Sequence, residues 1–558
     1  MSVTHDEVRA QLTGPGQLFE MDEIEVRGSR IRTWKHAPGH FRVLLENSRF
    51  HGEKEFIVYE DERVTFEEHF RRAATLANRL VADYGVTKGD RVAVSMRNYP
   101  EWIVSFSAIL ACGAVAVPLN AWWTPQELEY GLSDSGAKVL IADGERVNRL
   151  KDAAFDARLI VTRPLGELPA GAALLSDLLG EAGPDVSLPP VELDPEDPAT
   201  IFYTSGTTGR PKGALGTHRN LGQAPMTVAY AAARGQLLAG RPADLATERR
   251  VTLLSVPLFH VTGCFAAMIG TMFAGSTLVL MYKWDPGVAL ELIEREKVTG
   301  LTGVPTSAWQ LMSHPDFAKR DISSLGALGY GGAPAPPKLL ERIGERLPGR
   351  APSNGYGMTE TTALIVNNSG QGYRDKPDSI GRPVAIIDVR ISDPLGDEVP
   401  VGEVGELCVR GAAVIAGYWN RPDATAETFV DGWLHTGDLA RTDEEGYVFI
   451  VDRAKDMVIR GGENVYCAEV EAALFEHPAV DDAAVIGIPH DELGEEVGAV
   501  IRLVPGSPAT AEDITAFLTE RIAPFKIPVR YWFREAELPR NPGGKILKTR
   551  LRREILGS

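Results

Sequence analysis

Apolar and polar positions alternate along this chain with two different periods. Residues 65–85, TFEEHFRRAATLANRLVADYG, place apolar side chains three and four apart, which predicts an amphipathic helix. Thr65 stands at its start with Glu68 three residues on, the arrangement that caps a helix N-terminus. DRVAVSM and AKVLIAD are short and almost wholly apolar, as buried strands are. Alternating helix and strand patterns predict an open, mostly parallel sheet with helices on both faces. Residues 102–119, WIVSFSAILACGAVAVPL, come near the length of a membrane span. Gly113 breaks the run and a Val/Ala stretch ends it at Pro118, so a buried helix feeding a buried strand is predicted.

Further along, LPPVELDPEDPAT (188–200) is rich in proline and acid and reads as a connector. The α/β pattern continues over residues 214–380. From GRPVAIIDVRISD to GYVFIVD it gives way to short strands with Gly, Pro and Asp turns, predicting a small, mainly antiparallel β unit. After Asp452 helix and strand patterns resume in AEVEAALFEHP, VDDAAVIGIPH, VGAVIRLV, ITAFLTERI and VRYWF. That remainder, about a hundred residues, suffices for a small domain. The fold class is therefore α/β, with a large N-terminal domain (1–451) of α/β sheets plus a small β subdomain, and a small C-terminal α/β domain (452–558). The pattern leaves the first fifty residues open as a lid, a dimer contact or a loose arm.

At 558 residues the chain exceeds one ordinary core. A net charge of −18 without a long basic run argues against nucleic acid or an anionic membrane surface as partner. Any polyanion must bind in a pocket with its own donors. The four cysteines, Cys112, Cys264, Cys408 and Cys467, form no CxxC pair, and no HExxH occurs. A disulfide framework or zinc site is not expected. The cytoplasm is the expected location, with no integral membrane segment.

YTSGTTGRPKG (203–213) concentrates hydroxyls, glycines and one lysine. Glycines let backbone N–H groups face a ligand closely, Ser205, Thr207 and Thr208 add donors, and Lys212 adds charge. Such a loop suits a polyphosphate, but its spacing is not that of the Walker A loop. Further motifs follow in order: PLFHVTG (257–263), YGGAP (330–334), NGYGMTE (354–360), GWLHTGD (432–438), DRAKDMVIRGGENV (452–465) and PRNPGGKILK (539–548). Together with the opening loop they resemble the adenylate-forming superfamily of acyl-CoA synthetases, nonribosomal adenylation domains and firefly luciferase, over nearly the whole chain from about residue 50.

The resemblance implies ATP-dependent activation of a carboxylic acid to acyl-AMP, followed by transfer to CoA: an AMP-forming acid–thiol ligase using ATP, Mg²⁺ and CoA. It implies that Thr204, Ser205, Gly206, Thr207, Thr208, Gly209 and Lys212 hold phosphates. Glu360 would bind Mg²⁺ and Thr359 the α-phosphate. Gly355, Tyr356, Gly357 and Met358 would face Gly332, Ala333 and Pro334 across the adenine. Asp438 and Arg453 would hold the ribose. Lys545 would touch the substrate carboxylate and the α-phosphate, with Thr204, His260 and Glu360 completing the catalytic set; nearby Lys548 reads as a solvated surface cation. Lys455 would be the hinge about which the C-terminal domain swings. Gly461, Gly462 and Glu463 would then line the thiol tunnel, where Cys467 replaces a proline common in the family.

His260, Val261, Gly263, Ala266, Ala267, Val304 and Trp309 would line the acyl pocket, with TALIV (362–366) beside them. No charged side chain in these segments could pair with a substrate amine, so an apolar acid is expected. A fatty acid leads, with an aryl or steroid side-chain acid as alternative. Transfer to a carrier protein instead of CoA, a luciferase-like acceptor and a non-catalytic nucleotide sensor are the other readings. A homodimer is compatible with all of them.

Overall fold

The computed structural model describes residues 4–180, 183–204, 210–243, 250–332, 337–362, 364–460, 463–490, 492–541 and 544–557. The amphipathic segment forms helix Phe66–Ala82, and Thr65 Oγ1 accepts from Glu68 N at 3.1 Å. Residues 102–119 divide as expected into helix Pro100–Ala111, a turn at Gly113 (φ +79°) and strand Val115–Pro118. Among the described residues no helix is long and apolar enough to cross a membrane.

The alternating pattern builds two large sheets instead of one. An eight-stranded sheet has a parallel centre of Pro198–Tyr203, Val115–Pro118, Arg91–Ser95, Val139–Asp143 and Arg158–Thr162. Its first strand begins inside the proline-rich connector. A nine-stranded sheet runs parallel through Glu55–Tyr59, Thr277–Leu280, Val251–Leu254, Gly300–Gly303, Ala327–Gly331 and Ala351–Tyr356. The largest apolar core takes side chains from one face of each sheet and from helices Phe66–Ala82 and Pro100–Ala111, among them Leu76, Phe106, Ile141, Leu254 and Phe265. Short βα connections from parallel strands gather their C-terminal ends on one side, where such sheets bind ligands.

The β unit is an antiparallel sheet of Ile387–Ser392, Gly405–Gly411, Trp433–Thr442 and Val448–Arg453. A final five-stranded sheet spans residues 458–534, with helices Cys467–Phe475 and Ala511–Thr519. The first fifty residues are part of the fold. Hairpin strand Ser29–Trp34 docks through Trp34 Nε1, which donates to Thr227 Oγ1 at 3.0 Å, and through an Arg32–Asp388 ion pair of 2.6 Å.

Candidate active site

The hydroxyl- and glycine-rich segment begins and ends in two paired strands. Strands Pro198–Tyr203 and Gly213–Thr217 pair antiparallel with Tyr203 opposite Gly213, and Thr204 N donates to Lys212 O at 2.9 Å. Thr204 and Lys212 therefore sit side by side at the end of this strand pair. Ser205, Gly206, Thr207, Thr208 and Gly209 lie outside the described residues. A Cβ at Gly213 would stand 2.6 Å from Ile201 Cγ2, so any larger residue there would have to displace the Ile201 side chain. Lys212 Nζ lies 5.1 Å from the Tyr418 ring centroid, and Tyr418 OH donates to Glu360 Oε1 at 2.7 Å. Cation, ring and carboxylate thus form a row.

Glu360 is held in the short turn Thr359–Thr361 and is 7% exposed. Burial raises its pKa despite the Tyr418 hydrogen bond and the nearby charges of Arg453 and Lys212. A carboxylate whose charge is under-compensated is a fitting ligand for a hard divalent cation such as Mg²⁺.

The two expected walls of the adenine slot come from neighbouring parallel strands. Gly331 lies opposite Gly355, and a Cβ at Gly331 would stand 2.3 Å from Gly355 O. Gly332 turns the chain away at φ +76°, while Gly357, Met358 and Thr359 lead from strand Ala351–Tyr356 into the Glu360 turn. Ala333 and Pro334 lie outside the described residues. Tyr356 does more than present a flat face: its hydroxyl donates to Asp438 Oδ2 at 2.5 Å.

Asp438 and Arg453 are register partners on adjacent strands, and Arg453 Nε pairs with Asp438 Oδ1 at 2.9 Å. Both oxygens of this 3%-exposed carboxylate have protein partners, yet each keeps further acceptor capacity. The chain then turns: Ala454 N donates to Gly437 O and Asp456 N to Arg453 O, both at 3.0 Å, placing Lys455 in the bend. Asp452 accepts from Arg453 N at 2.7 Å and from Cys467 N, and burial pushes its pKa up to about 6. Cys467 itself is fully buried. Glu463 pairs opposite Arg460 and is exposed; Gly461 and Gly462 lie outside the described residues.

Lys545 enters this same neighbourhood on a tight loop. Asn541 N donates to Lys545 O at 2.8 Å, and Lys545 N donates to Asn541 Oδ1 at 2.9 Å. Arg540 bonds Gly544 O at 2.7 Å while its other nitrogen forks onto Asp482 at 2.8 Å. Gly544 (φ +79°) abuts Val304, a residue expected in the acyl pocket, whose Cγ2 would be 3.2 Å from an added Cβ. Burial, then the charge of Arg453, lowers the Lys545 ammonium to about 8, with Lys455 adding to the effect and Asp456 and Asp438 opposing it. Lys455 is lowered by the same two leading causes.

Lys548 is not the solvated cation expected from its sequence. It is mostly buried and forms a 2.7 Å ion pair with Glu471. Burial alone would lower its pKa, but Glu471 and the neighbouring Cys467 and Asp452 raise it.

His260 ends a turn pinned by Asn98, whose side chain donates to Val256 O at 3.1 Å and accepts from Leu258 N at 2.9 Å. Burial lowers the imidazole to about 4, so the ring is neutral at physiological pH. The following segment Thr262–Ile269 is a π-helix, wider than an α-helix and often found at functional sites. Gly263 permits it, since a Cβ there would stand 2.3 Å from Pro257 O. Val261, Ala266, Ala267 and Val304 pack in the one core. Trp309 stands apart: it packs on the opposite face of the nine-stranded sheet with Arg342 4.3 Å above its ring. Ile365 and Val366 also turn away, into the core around Trp34.

Residues 44–419 match the AMP-binding enzyme family and residues 469–545 match the AMP-binding enzyme C-terminal domain. The chain belongs to the AMP-binding enzymes. It is 41% identical over 492 residues to a feruloyl-CoA synthase of Amycolatopsis sp, spanning 88% of this chain and 94% of that one. It is 34% identical over 538 residues to a long-chain-fatty-acid–CoA ligase of Bacillus subtilis (strain 168), spanning 92% and 94%. Its fold matches o-succinylbenzoate CoA synthetase from Bacillus subtilis in complex with its acyl-adenylate OSB-AMP, with a TM-score of 0.78, 32% identity, and coverage of 91% and 97%. This AMP-binding enzyme also uses two residues that motif reading passed over. Tyr418 links Lys212 to Glu360, and Asn98 fixes the His260 turn. Tyr418 follows Gly417 in a two-residue edge strand, too short for periodicity to register. Asn98, just past a buried strand, is the one with a usable signal: a polar residue at a strand's C-terminal end.

Proposed function

We propose that this enzyme activates an apolar carboxylic acid with ATP to an acyl adenylate and transfers the acyl group to CoA, releasing AMP and diphosphate. One observation carries the reading. Lys545, Lys455 and Arg453 lie in one partly buried neighbourhood with Asp438 and Asp456, and both lysines are lowered by burial first and by Arg453 next, a cost that an incoming polyanion relieves. Both reactants of the first step are anions, and a lysine whose burial is not fully offset by its neighbours is what their approach requires. Lys545 neutralises the substrate carboxylate and the α-phosphate. Thr204, Lys212 and the loop between them, together with Thr359, take the phosphates. Asp438, oriented by Tyr356 and Arg453, accepts from the ribose hydroxyls, and the Gly331–Gly332 and Gly355–Met358 segments flank the base. Glu360 holds Mg²⁺, which neutralises phosphate charge when bound.

The division at residues 451 and 452 marks the C-terminal domain, with Lys455 as its hinge and Gly461, Gly462 and Glu463 lining the thiol path after the swing. Neutral His260 orients the thiol near the acyl carbonyl. The apolar lining of Val261, Gly263, Ala266, Ala267 and Val304 suits an uncharged acyl group. The 41% identity to a feruloyl-CoA synthase favours an aromatic acid, and the 34% identity to a long-chain-fatty-acid–CoA ligase supports a fatty acid as the second reading. Four free, buried cysteines accord with the cytoplasm.

The test is incubation with Mg-ATP and a panel of aryl, fatty and branched acids, with and without CoA, followed by mass spectrometry. Acyl-CoA from one structural class is expected. Acyl-AMP that persists in the presence of CoA would move the acceptor to a carrier protein, and no adenylate from any acid would overturn the reading.

A further inference from the structure

Outside the cleft, one cluster has the chemistry of a metal site. Glu406 and Cys408 stand two apart on strand Gly405–Gly411, so their side chains share a face. His435 on strand Trp433–Thr442 is the register partner of Cys408. His435 Nδ1 lies 2.8 Å from Glu406 Oε2 and 3.6 Å from Cys408 Sγ. One ligand atom from each residue lies within 4.8 Å of the other two. Carboxylate and thiol approach the same ring nitrogen, so the trio is not a relay through the imidazole. The three atoms lie close enough together for one ion to be shared among them.

A tetrahedral zinc ion, with bonds of roughly 2.0–2.3 Å to O, N and S, separates its ligand atoms by roughly 3.2–3.7 Å. The two spacings to His435 Nδ1, 2.8 and 3.6 Å, lie within tenths of an ångström of that range. Glu406 Oε1 accepts from Gly437 N at 2.9 Å, which fixes the carboxylate and leaves Oε2 beside His435 Nδ1. Cys408 is fully buried, while Glu406 and His435 are partly exposed at 30% and 24%, giving an ion access from solvent. Burial and the Glu406 charge hold the free Cys408 thiol in its protonated form, against Ser392 and Arg390. Once a cation takes the place of that proton, a thiolate with a carboxylate balances a divalent charge.

We propose that Glu406, Cys408 and His435 bind a thiophilic divalent cation of the zinc class, at a site separate from the magnesium that accompanies ATP. Thiolate and imidazole select zinc, cobalt or cadmium over magnesium, which prefers oxygen ligands alone. Binding displaces the thiol proton to solvent and leaves a fourth position to water. The bound ion clamps strand Gly405–Gly411 to the strand that carries Asp438.

The test titrates the full-length, tag-free protein with Co²⁺ in excess Mg²⁺, reading thiolate-to-cobalt charge-transfer absorption and bound metal by equilibrium dialysis. We expect one Co²⁺ per chain, a charge-transfer band, and displacement by Zn²⁺. Cys408→Ala should lose the band, and Glu406→Gln, which keeps the side chain's shape, should weaken Co²⁺ binding at least about tenfold. Absence of a thiolate band in the wild-type protein would overturn the proposal whether or not any variant folds. So would a band that survives Cys408→Ala or an affinity unmoved by Glu406→Gln.

Discussion

Lys545 and Lys548 lie three residues apart and live in opposite electrostatic settings. Lys548 is matched by Glu471 at 2.7 Å, and its charge is held. Lys545 shares its cleft with Arg453 and Lys455, and its charge is penalised. Both are mostly buried, so burial does not distinguish them; Lys548 has a carboxylate that outweighs its burial, while Lys545 sits among charges of both signs that do not. A structural charge comes with its counter-ion in the chain, whereas a ligand-directed charge waits for one.

The sharpest way to break this contrast is Lys545→Ala. Adenylate formation should fall by about 10²- to 10³-fold, while thioester formation from supplied acyl-AMP changes little. Equal loss in both half-reactions, measured separately, would remove Lys545 from the first step. Next in size, Lys548→Met should lower stability by about 3 kcal/mol, because it strands the Glu471 charge. Thermal unfolding reads that loss, and the folded fraction should keep its adenylation rate.

A pH profile of kcat/KM for adenylation reports the free enzyme. It should decline as pH rises through about 8, where Lys545 loses its proton. The stability linkage has the opposite sense. A lysine with a folded pKa below its ordinary value of 10.5 destabilises the fold while charged, so that penalty is present below about pH 8 and fades toward 10.5. An alkaline limb that persists unchanged in Lys545→Ala would assign it elsewhere. The smallest effect sets the scale: Thr65→Ala, remote from both lysines, removes a helix cap and should cost about 1 kcal/mol in urea unfolding. If Lys548→Met cost no more than this, the Glu471 pair would be a minor contact.

The pair also marks what the sequence discloses. NPGGK announces Lys545 because motif and glycine loop are local, but Glu471 lies in a helix 77 positions before Lys548, and nothing in PRNPGGKILK betrays it. Helix and strand identity were readable wherever burial imposed a period, as in Phe66–Ala82 with its Thr65 cap and in the break at Gly113. The division into two large sheets was not, because strand order depends on pairings between distant segments. Trp309 follows the same logic. Its position after Val304 suggests the acyl pocket, yet the helix Pro305–Ser313 turns its ring to the other face of the sheet. The π-helix at Thr262–Ile269 left no trace either, since small apolar residues serve any helical winding equally.

The contact between Gly544 and Val304 carries a consequence for how the enzyme chooses its acid. On the proposed reading Val304 is a wall of the acyl pocket, and the loop that carries Lys545 approaches it so closely that a Cβ at Gly544 would stand 3.2 Å from Val304 Cγ2. On the proposed reading, an ill-fitting acyl group that moves this wall also moves the lysine. The enzyme would then tell acids apart by how fast they react once bound, and a poor substrate could occupy the pocket as tightly as a good one.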